Sequence, residues 1–256
     1  MTETTSRTIR EITVFFPFFN EEGNIERVTR AAVAALERLG LDFEIILVND
    51  GSRDRTGELA DRLAAADPRI RAVHHEVNRG YGAALQSGFR SASKAWVFYT
   101  DGDGQFDIEQ IELLLGLADR YDIVSGYRQN RRDRLIRKIN AWGWGVLVRL
   151  LLGVGLRDVD SAFKLYRREI FDRIEMKSTG ALIDAEILAR AARLGYRIGE
   201  VPVRHLPRLA GQQTGANVRV ILRAFRELFR LRREIVGATR PEEAGRTDQC
   251  TDRDHT

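Results

Sequence analysis

Apolar positions in the first half of the chain fall into short continuous runs separated by amphipathic stretches, a pattern that predicts alternating strands and helices. Ile12–Phe16 is a β-branched and aromatic run, with a turn expected at Pro17 and a helix from Asn24 to Leu39. Phe43–Val48 reads FEIILV, the unbroken apolar run of a strand buried on both faces. Ser52 or Asp54 then caps a helix running to about Ala65. Further strands are expected at Ile70–His75, Ala95–Tyr99 and Ile123–Gly126, with helices near Gly82–Ser91 and Ile108–Leu117. Strand–helix alternation with short connections predicts an open α/β fold, a mostly parallel sheet flanked by helices. Such sheets bind ligands at the carboxyl ends of their strands, which is where the polar motifs of this chain fall.

After Tyr127 the pattern changes. An Arg-flanked apolar helix is expected over 134–156, a strand over Phe163–Tyr166, a helix over Ala181–Leu194 and a strand over Arg197–Val203. The expected organisation is a flexible lead at 1–10, one domain over 11–215, a basic amphipathic helix over 216–236 and a disordered tail from 237. Two stretches have the character of interfacial segments. Ala141–Leu156 is strongly apolar, holds two tryptophans and is flanked by Arg137, Lys138 and Arg157. In 216–236, arginines 219, 223, 226, 230 and 233 form one stripe and Val218, Ile221, Phe225 and Leu228 another. Both stretches can equally pack on the core behind an Arg-rich outer face.

Composition narrows the choice. The chain of 256 residues is 43% hydrophobic and 30% charged, as a folded soluble protein is. Its single cysteine, Cys250, excludes a disulfide framework and a multi-Cys zinc site. The opening MTETTSRTIREI carries no apolar run of the signal-peptide kind, so a reduced cytoplasmic setting is expected. The net charge of +4 hides an asymmetry: residues 1–126 hold 14 Lys/Arg against 21 Asp/Glu, and residues 127–240 hold 25 against 11. An acidic half followed by a basic one suits a metal or nucleotide site beside something that meets anions. The basic stripe lacks a nucleic-acid recognition motif, so nucleic acid is not an expected partner.

Three loops can carry chemistry. Asn49-Asp50-Gly51-Ser52 closes the second strand, where Asp50 can accept an N–H from a base or simply build an Asx turn and helix cap. Asp101-Gly102-Asp103-Gly104-Gln105 closes the fourth strand; two carboxylates one residue apart with a third oxygen from Gln105 suit Mg²⁺ or Mn²⁺. Asp158-Val159-Asp160-Ser161 offers an acid that either acts as a general base or orients a basic partner. Arg128, Arg137 and Arg208 can clamp phosphate with guanidinium forks. The histidines at 74, 75, 205 and 256 show no metal-ligand spacing.

Together these pieces resemble family 2 glycosyltransferases. Phe16-Pro17-Phe18-Phe19-Asn20-Glu21-Glu22 is similar to the family's P-x-(Y/F)-N-E-E opening, and Val48-Asn49-Asp50-Gly51-Ser52-Arg53-Asp54 to its V-(D/N)-D-G-S-x-D motif. Asn78-Arg79-Gly80-Tyr81-Gly82-Ala83-Ala84 resembles its N-x-G-x-G-x-A helix start, and Asp101–Gln105 the D-x-D-x-Q loop of the dolichyl-phosphate mannose synthase branch. The resemblance implies a GT-A fold and a metal-dependent inverting transfer of a hexose, from GDP-mannose or UDP-glucose to polyprenyl phosphate, at the inner face of the membrane; the alternatives are a soluble or polysaccharide acceptor, or a nucleotide-sugar-binding protein without catalysis. It implies that Pro17, Phe19, Glu21, Asp50, Asn78, Gly82 and Asp101 bind the nucleotide, and that Asp101, Asp103 and Gln105 hold the divalent ion. It further implies that Arg128, Arg137 and Arg208 bind the phosphates, and that Asp103 and an acceptor-side Asp158 serve the chemistry. Asp158 precedes Phe163-Lys164-Leu165 as in the family's D-x-x-x-x-F-(R/K)-L element. Ala141 and Lys164 depart from the residues usual at their places.

Overall fold

The computed structural model describes residues 9–129, 135–207 and 227–235, with the side chains of 135–142 and 144 outside that description. Seven strands form one sheet: β1 (Glu11–Phe18), β2 (Asp42–Asp50), β3 (Ile70–His75), β4 (Trp96–Thr100), β5 (Ile123–Gln129), β6 (Phe163–Arg167) and β7 (Ile198–Arg204). Their order is β3-β2-β1-β4-β6-β5-β7. Every pairing is parallel except the two made by β6, which runs against both β4 and β5. The helices are α1 (Ile25–Arg38), α2 (Thr56–Ala66), α3 (Tyr81–Ser91), α4 (Ile111–Leu115), α5 (Leu135–Leu152), α6 (Ile170–Arg173) and α7 (Ile183–Arg193), followed by α8 at 227–235.

The period-two alternation of β1 divides the core. Ile12, Val14, Phe16 and Phe18 face α1 on one side of the sheet, and Phe15 faces the α3 side, where it meets Phe89 edge-on at 4.8 Å. Fully burying one such ring contributes about 2–3 kcal/mol. On the Phe15 side, α7 and the buried positions of α5 and α8 close the second layer.

The expected turn at Pro17 is instead a continuation of β1. Pairing with β4 stops at Phe15, so beyond it β1 is bonded on its β2 side alone and tolerates a proline. The short α6 was not expected. Of the basic helix expected over 216–236, residues 227–235 are described and are helical, while the remainder and the tail lie outside the described residues. Leu228, Leu231 and Ile235 are buried against the same cluster as Val148 and Leu152. Among the described residues of the two stretches these positions pack on the core, while Leu150 and Phe229 stay exposed beside Arg149 and Arg230. Among the described residues no helix is long and apolar enough to cross a membrane.

This topology gathers the motifs. Strands β1 to β5 and β7 end at one edge of the sheet; β6 runs the other way, so the loop before it arrives at that same edge. The register Thr100↔Phe163 sets the 158–162 segment beside Asp101. The strand order reverses between β1 and β4, the place where open α/β sheets form a ligand crevice.

Candidate active site

A cavity of about 490 Å³ opens at that switch point. Pro17, Phe18, Phe19 and Glu21 line it from β1, Asp50 from β2, Asn78, Gly80, Tyr81 and Ala84 from the start of α3, and Asp101, Gly102 and Asp103 from the end of β4. Six of the seven expected nucleotide-binding residues thus share one cleft. Gly82 is the exception: a Cβ there would stand 2.6 Å from the Ser178 carbonyl oxygen, so this glycine lets α3 dock on the 178–180 backbone.

The wall formed by residues 17–22 is held by side chains of the next loop. Asn20, at a φ of 56°, accepts from the Arg53 N–H at 2.8 Å, and its own N–H donates to Ser52 Oγ. The Glu21 N–H donates to Thr56 Oγ1, and the Glu22 N–H to Asp54. Asp54 also accepts from Thr56 N–H at 3.0 Å, but the N-cap position of α2 is Arg55 rather than the expected Ser52 or Asp54. The motif residues are therefore a mutual scaffold, and Phe19 is left 41% exposed on it.

Asp50 is buried and heavily engaged. It accepts the backbone N–H groups of Arg79 and Gly80, each at 2.9 Å, and Nδ1 of His75 at 2.6 Å. The other ring nitrogen of His75 lies 2.8 Å from Ser87 Oγ. The side-chain bond that closes this turn belongs to Asn49 rather than Asp50: Asn49 Oδ1 accepts from the Ser52 N–H three residues on, so the Asx turn that Asp50 could have built is not made. Gly51, at a φ of 65°, lets the turn approach residues 77–78; a Cβ would come within 2.4 Å of the Asn78 nitrogen. His75 is a site residue that sequence reasoning missed. The signal was there, since alternation along β3 turns it inward from the same strand end as Asp50.

Asp101 and Asp103 both face the cavity, on the loop loosened by Gly102 and Gly104. Burial, then the neighbouring Asp103 charge, pushes the Asp101 carboxyl up to about 7, against a hydrogen bond from Tyr81. Two carboxylates crowded in this way disfavour each other's charge, and a hard divalent cation relieves the conflict. The donor set thus fits Mg²⁺ or Mn²⁺. Gln105 stands apart from the lining residues; its side-chain nitrogen donates to the Leu206 carbonyl at 3.3 Å and its backbone N–H to Asp103 at 2.9 Å.

Across the β4–β6 seam, Arg128 and Asp158 form a fork. Nε and Nη2 of Arg128 each lie 2.7 Å from an Asp158 oxygen, and both side chains are mostly buried. Burial works against the Arg128 charge and the Asp158 fork outweighs it. The same guanidinium lowers the Asp101 pKa, so its field reaches the acidic loop. Of the two readings of Asp158, this geometry favours the orienting one. Asp160 is exposed. Arg208 and the Arg137 side chain lie outside the described residues.

With this geometry in hand, comparison with known proteins is direct. The model of Glycosyl transferase family 2 matches residues 13–175. Glycosyltransferase AglD of Haloferax volcanii is 37% identical over 209 residues, which are 77% of this chain and 33% of AglD. The undecaprenyl-phosphate 4-deoxy-4-formamido-L-arabinose transferase of Salmonella paratyphi A is 34% identical over 218 residues, 83% of this chain and 65% of that relative. The chain therefore spans about a third of the first and just under two thirds of the second. Among solved structures, glucosyl-3-phosphoglycerate synthase from Mycobacterium tuberculosis in complex with phosphoglyceric acid superposes with a TM-score of 0.66 at 20% identity, covering 90% of this chain and 81% of that one. The same synthase with Mn²⁺, UDP and glucosyl-3-phosphoglycerate gives 0.62. The shared architecture is the GT-A fold expected from the sequence.

Proposed function

This chain belongs to glycosyl transferase family 2, and from that premise we propose that it moves a hexose, glucose or mannose, from a nucleotide diphosphate sugar to a polyprenyl phosphate. The observation that carries the proposal is the meeting, at one sheet edge, of an acidic pair in a cavity with an arginine fork. A transferase that joins a diphosphate donor to a phosphate acceptor needs both. The arabinose transferase relative, whose name includes undecaprenyl phosphate, supports the lipid acceptor.

The cavity wall at Pro17, Phe19, Glu21 and Asn78 would receive the nucleotide, with Asp50 fixing the 79–80 backbone against it. Asp101 and Asp103, with Gln105 nearby, would hold a divalent ion, Mg²⁺ or Mn²⁺, whose charge offsets the negative charge that develops on the departing diphosphate. Arg128, held in one orientation by Asp158, positions the acceptor phosphate with its remaining N–H groups. One oxygen of that phosphate forms the new bond to the anomeric carbon. The old bond to the diphosphate oxygen breaks on the opposite side, its electron pair leaves with the nucleotide, and the configuration inverts. A phosphate monoester is already ionised near neutral pH, with a second pKa of about 6, so no strong general base is needed. That agrees with the engagement of Asp158 by Arg128. Exposed Leu150 and Phe229, flanked by Arg149 and Arg230, suit a peripheral seat on the inner membrane face.

The test is transfer of label from GDP-mannose and UDP-glucose, with Mg²⁺ or Mn²⁺, in the presence and absence of polyprenyl phosphate. Label entering the organic phase only with both metal and lipid phosphate is the expected result. Metal-dependent donor hydrolysis with no lipid product would overturn the lipid acceptor.

A further inference from the structure

Beneath the site lies an ion pair that the mechanism above does not use. Lys164 of β6 is fully buried, and the Asp184 side chain at the start of α7 is 3% exposed. The ammonium has three N–H donors and all three are placed: Asp184 Oδ1 at 2.8 Å, Tyr99 Oη at 3.3 Å and the Ser161 carbonyl oxygen. The Tyr99 hydroxyl donates to Asp184 in turn. Tyr81, a residue of the cavity wall, donates a hydrogen bond to the Asp101 carboxylate.

Taking two charges out of water is costly, and well-packed apolar residues of similar volume often serve stability as well or better. Lys164 shares its face of the sheet with Ala162 and Tyr166, both buried in the core cluster on that side, so an apolar residue could pack there. What the pair does that apolar residues cannot is hold polar groups of both halves at once. On one side it grips the Ser161 carbonyl, the end of the segment whose Asp158 orients Arg128. On the other it grips Tyr99, two residues before Asp101 and cross-strand partner of Lys164. We infer that Lys164 and Asp184, acting through Tyr99 on β4 and the Ser161 carbonyl, are positioning residues that set the acceptor-side 158–161 loop at a fixed distance from the acidic loop.

The inference rests on the transfer reaction proposed above, so wild-type transfer is measured first; its absence removes that reading and this inference with it. The test is the full chain with Lys164→Met and Asp184→Leu combined, so that neither charge is left alone in the core. Turnover, the KM for polyprenyl phosphate, the Kd for nucleotide sugar with Mn²⁺ by calorimetry, and Tm are measured together. The expected result is a kcat lowered by about 10- to 100-fold, as misplacement by about an ångström costs, with donor Kd within about twofold and Tm within a few degrees. Wild-type kcat, or a kcat that falls in step with Tm and donor affinity, would overturn it. Should the double variant fail to fold, Tyr99→Phe removes only the linking hydroxyl. A reduced kcat at unchanged Tm and donor Kd is then expected, and wild-type kcat overturns the inference.

Discussion

The two ends of the sheet are built differently. On the β3-β2-β1-β4 side all pairings are parallel, and the loops are held by carboxylates and hydroxyls that accept from backbone N–H groups, as Asp50 does for Arg79 and Gly80. On the β6-β5-β7 side one strand runs against its neighbours, and buried or part-buried ion pairs tie the elements together as well: Arg128 with Asp158, Lys164 with Asp184 and Arg167 with Asp122. The first side presents fixed backbone and negative charge, as a nucleotide and a cation require. The second presents oriented positive charge, as a phosphate requires. On the proposed reading these are a donor half and an acceptor half, which can be damaged separately.

The largest expected effect comes from breaking the donor half at its acidic loop. Asp103→Ala should lower turnover by about a thousandfold while the melting curve stays near that of the wild type, as a single transition-state electrostatic contact can be worth that much. Next, Arg128→Lys keeps the charge but cannot make the Asp158 fork. Transfer to lipid phosphate should drop by about 2 kcal/mol, roughly thirtyfold, while the donor Kd measured by calorimetry is unmoved.

Smaller effects sharpen the same division. His75→Leu leaves Asp50 short of one partner and should weaken nucleotide binding by about tenfold, with the acceptor KM unchanged. Gly82→Ala drives a methyl group into the Ser178–Gly180 backbone, where α3 meets the loop ahead of α7, and should cost about 1–3 kcal/mol in denaturant unfolding. The gentlest test is pH. Asp101 must lose its proton to bind a cation, so Mn²⁺ affinity should rise as pH climbs through about 7 and level off above it. The sign for the metal-free protein is opposite. A carboxyl whose pKa is raised by folding favours the fold below its unfolded value, and that contribution is lost as pH rises through about 7. Calorimetric melting across that window, with and without Mn²⁺, checks both.

The same contrast explains what the sequence made legible. The donor loops are short motifs that resemble those of the family, and that resemblance marked Pro17, Phe19, Glu21, Asp50, Asn78, Asp101 and Asp103, which share one cleft. Period-two and period-3.6 patterns likewise located the strands and most helices. The acceptor side depends on partners that meet only because β6 runs between β4 and β5: Arg128 and Asp158 are 30 residues apart, no further than Asp50 and Gly80, and Tyr99 and Asp184 are 85. No local pattern announces such pairs, and strand order, which brings them together, is not written in hydropathy. Gly82 misled because a glycine at a helix start signals close approach without saying to what; here it is the 178–180 backbone. Pro17 misled because the one-sided pairing of β1 beyond Phe15 is a property of the sheet, not of the residue.

The most direct test of a division between donor and acceptor halves follows lipid transfer and donor hydrolysis side by side in wild type, Asp103→Ala and Arg128→Lys, with Mn²⁺, labelled nucleotide sugar and polyprenyl phosphate. The account predicts that Asp103→Ala loses both reactions, while Arg128→Lys loses transfer and keeps hydrolysis. Equal loss of both reactions in the two variants would contradict it.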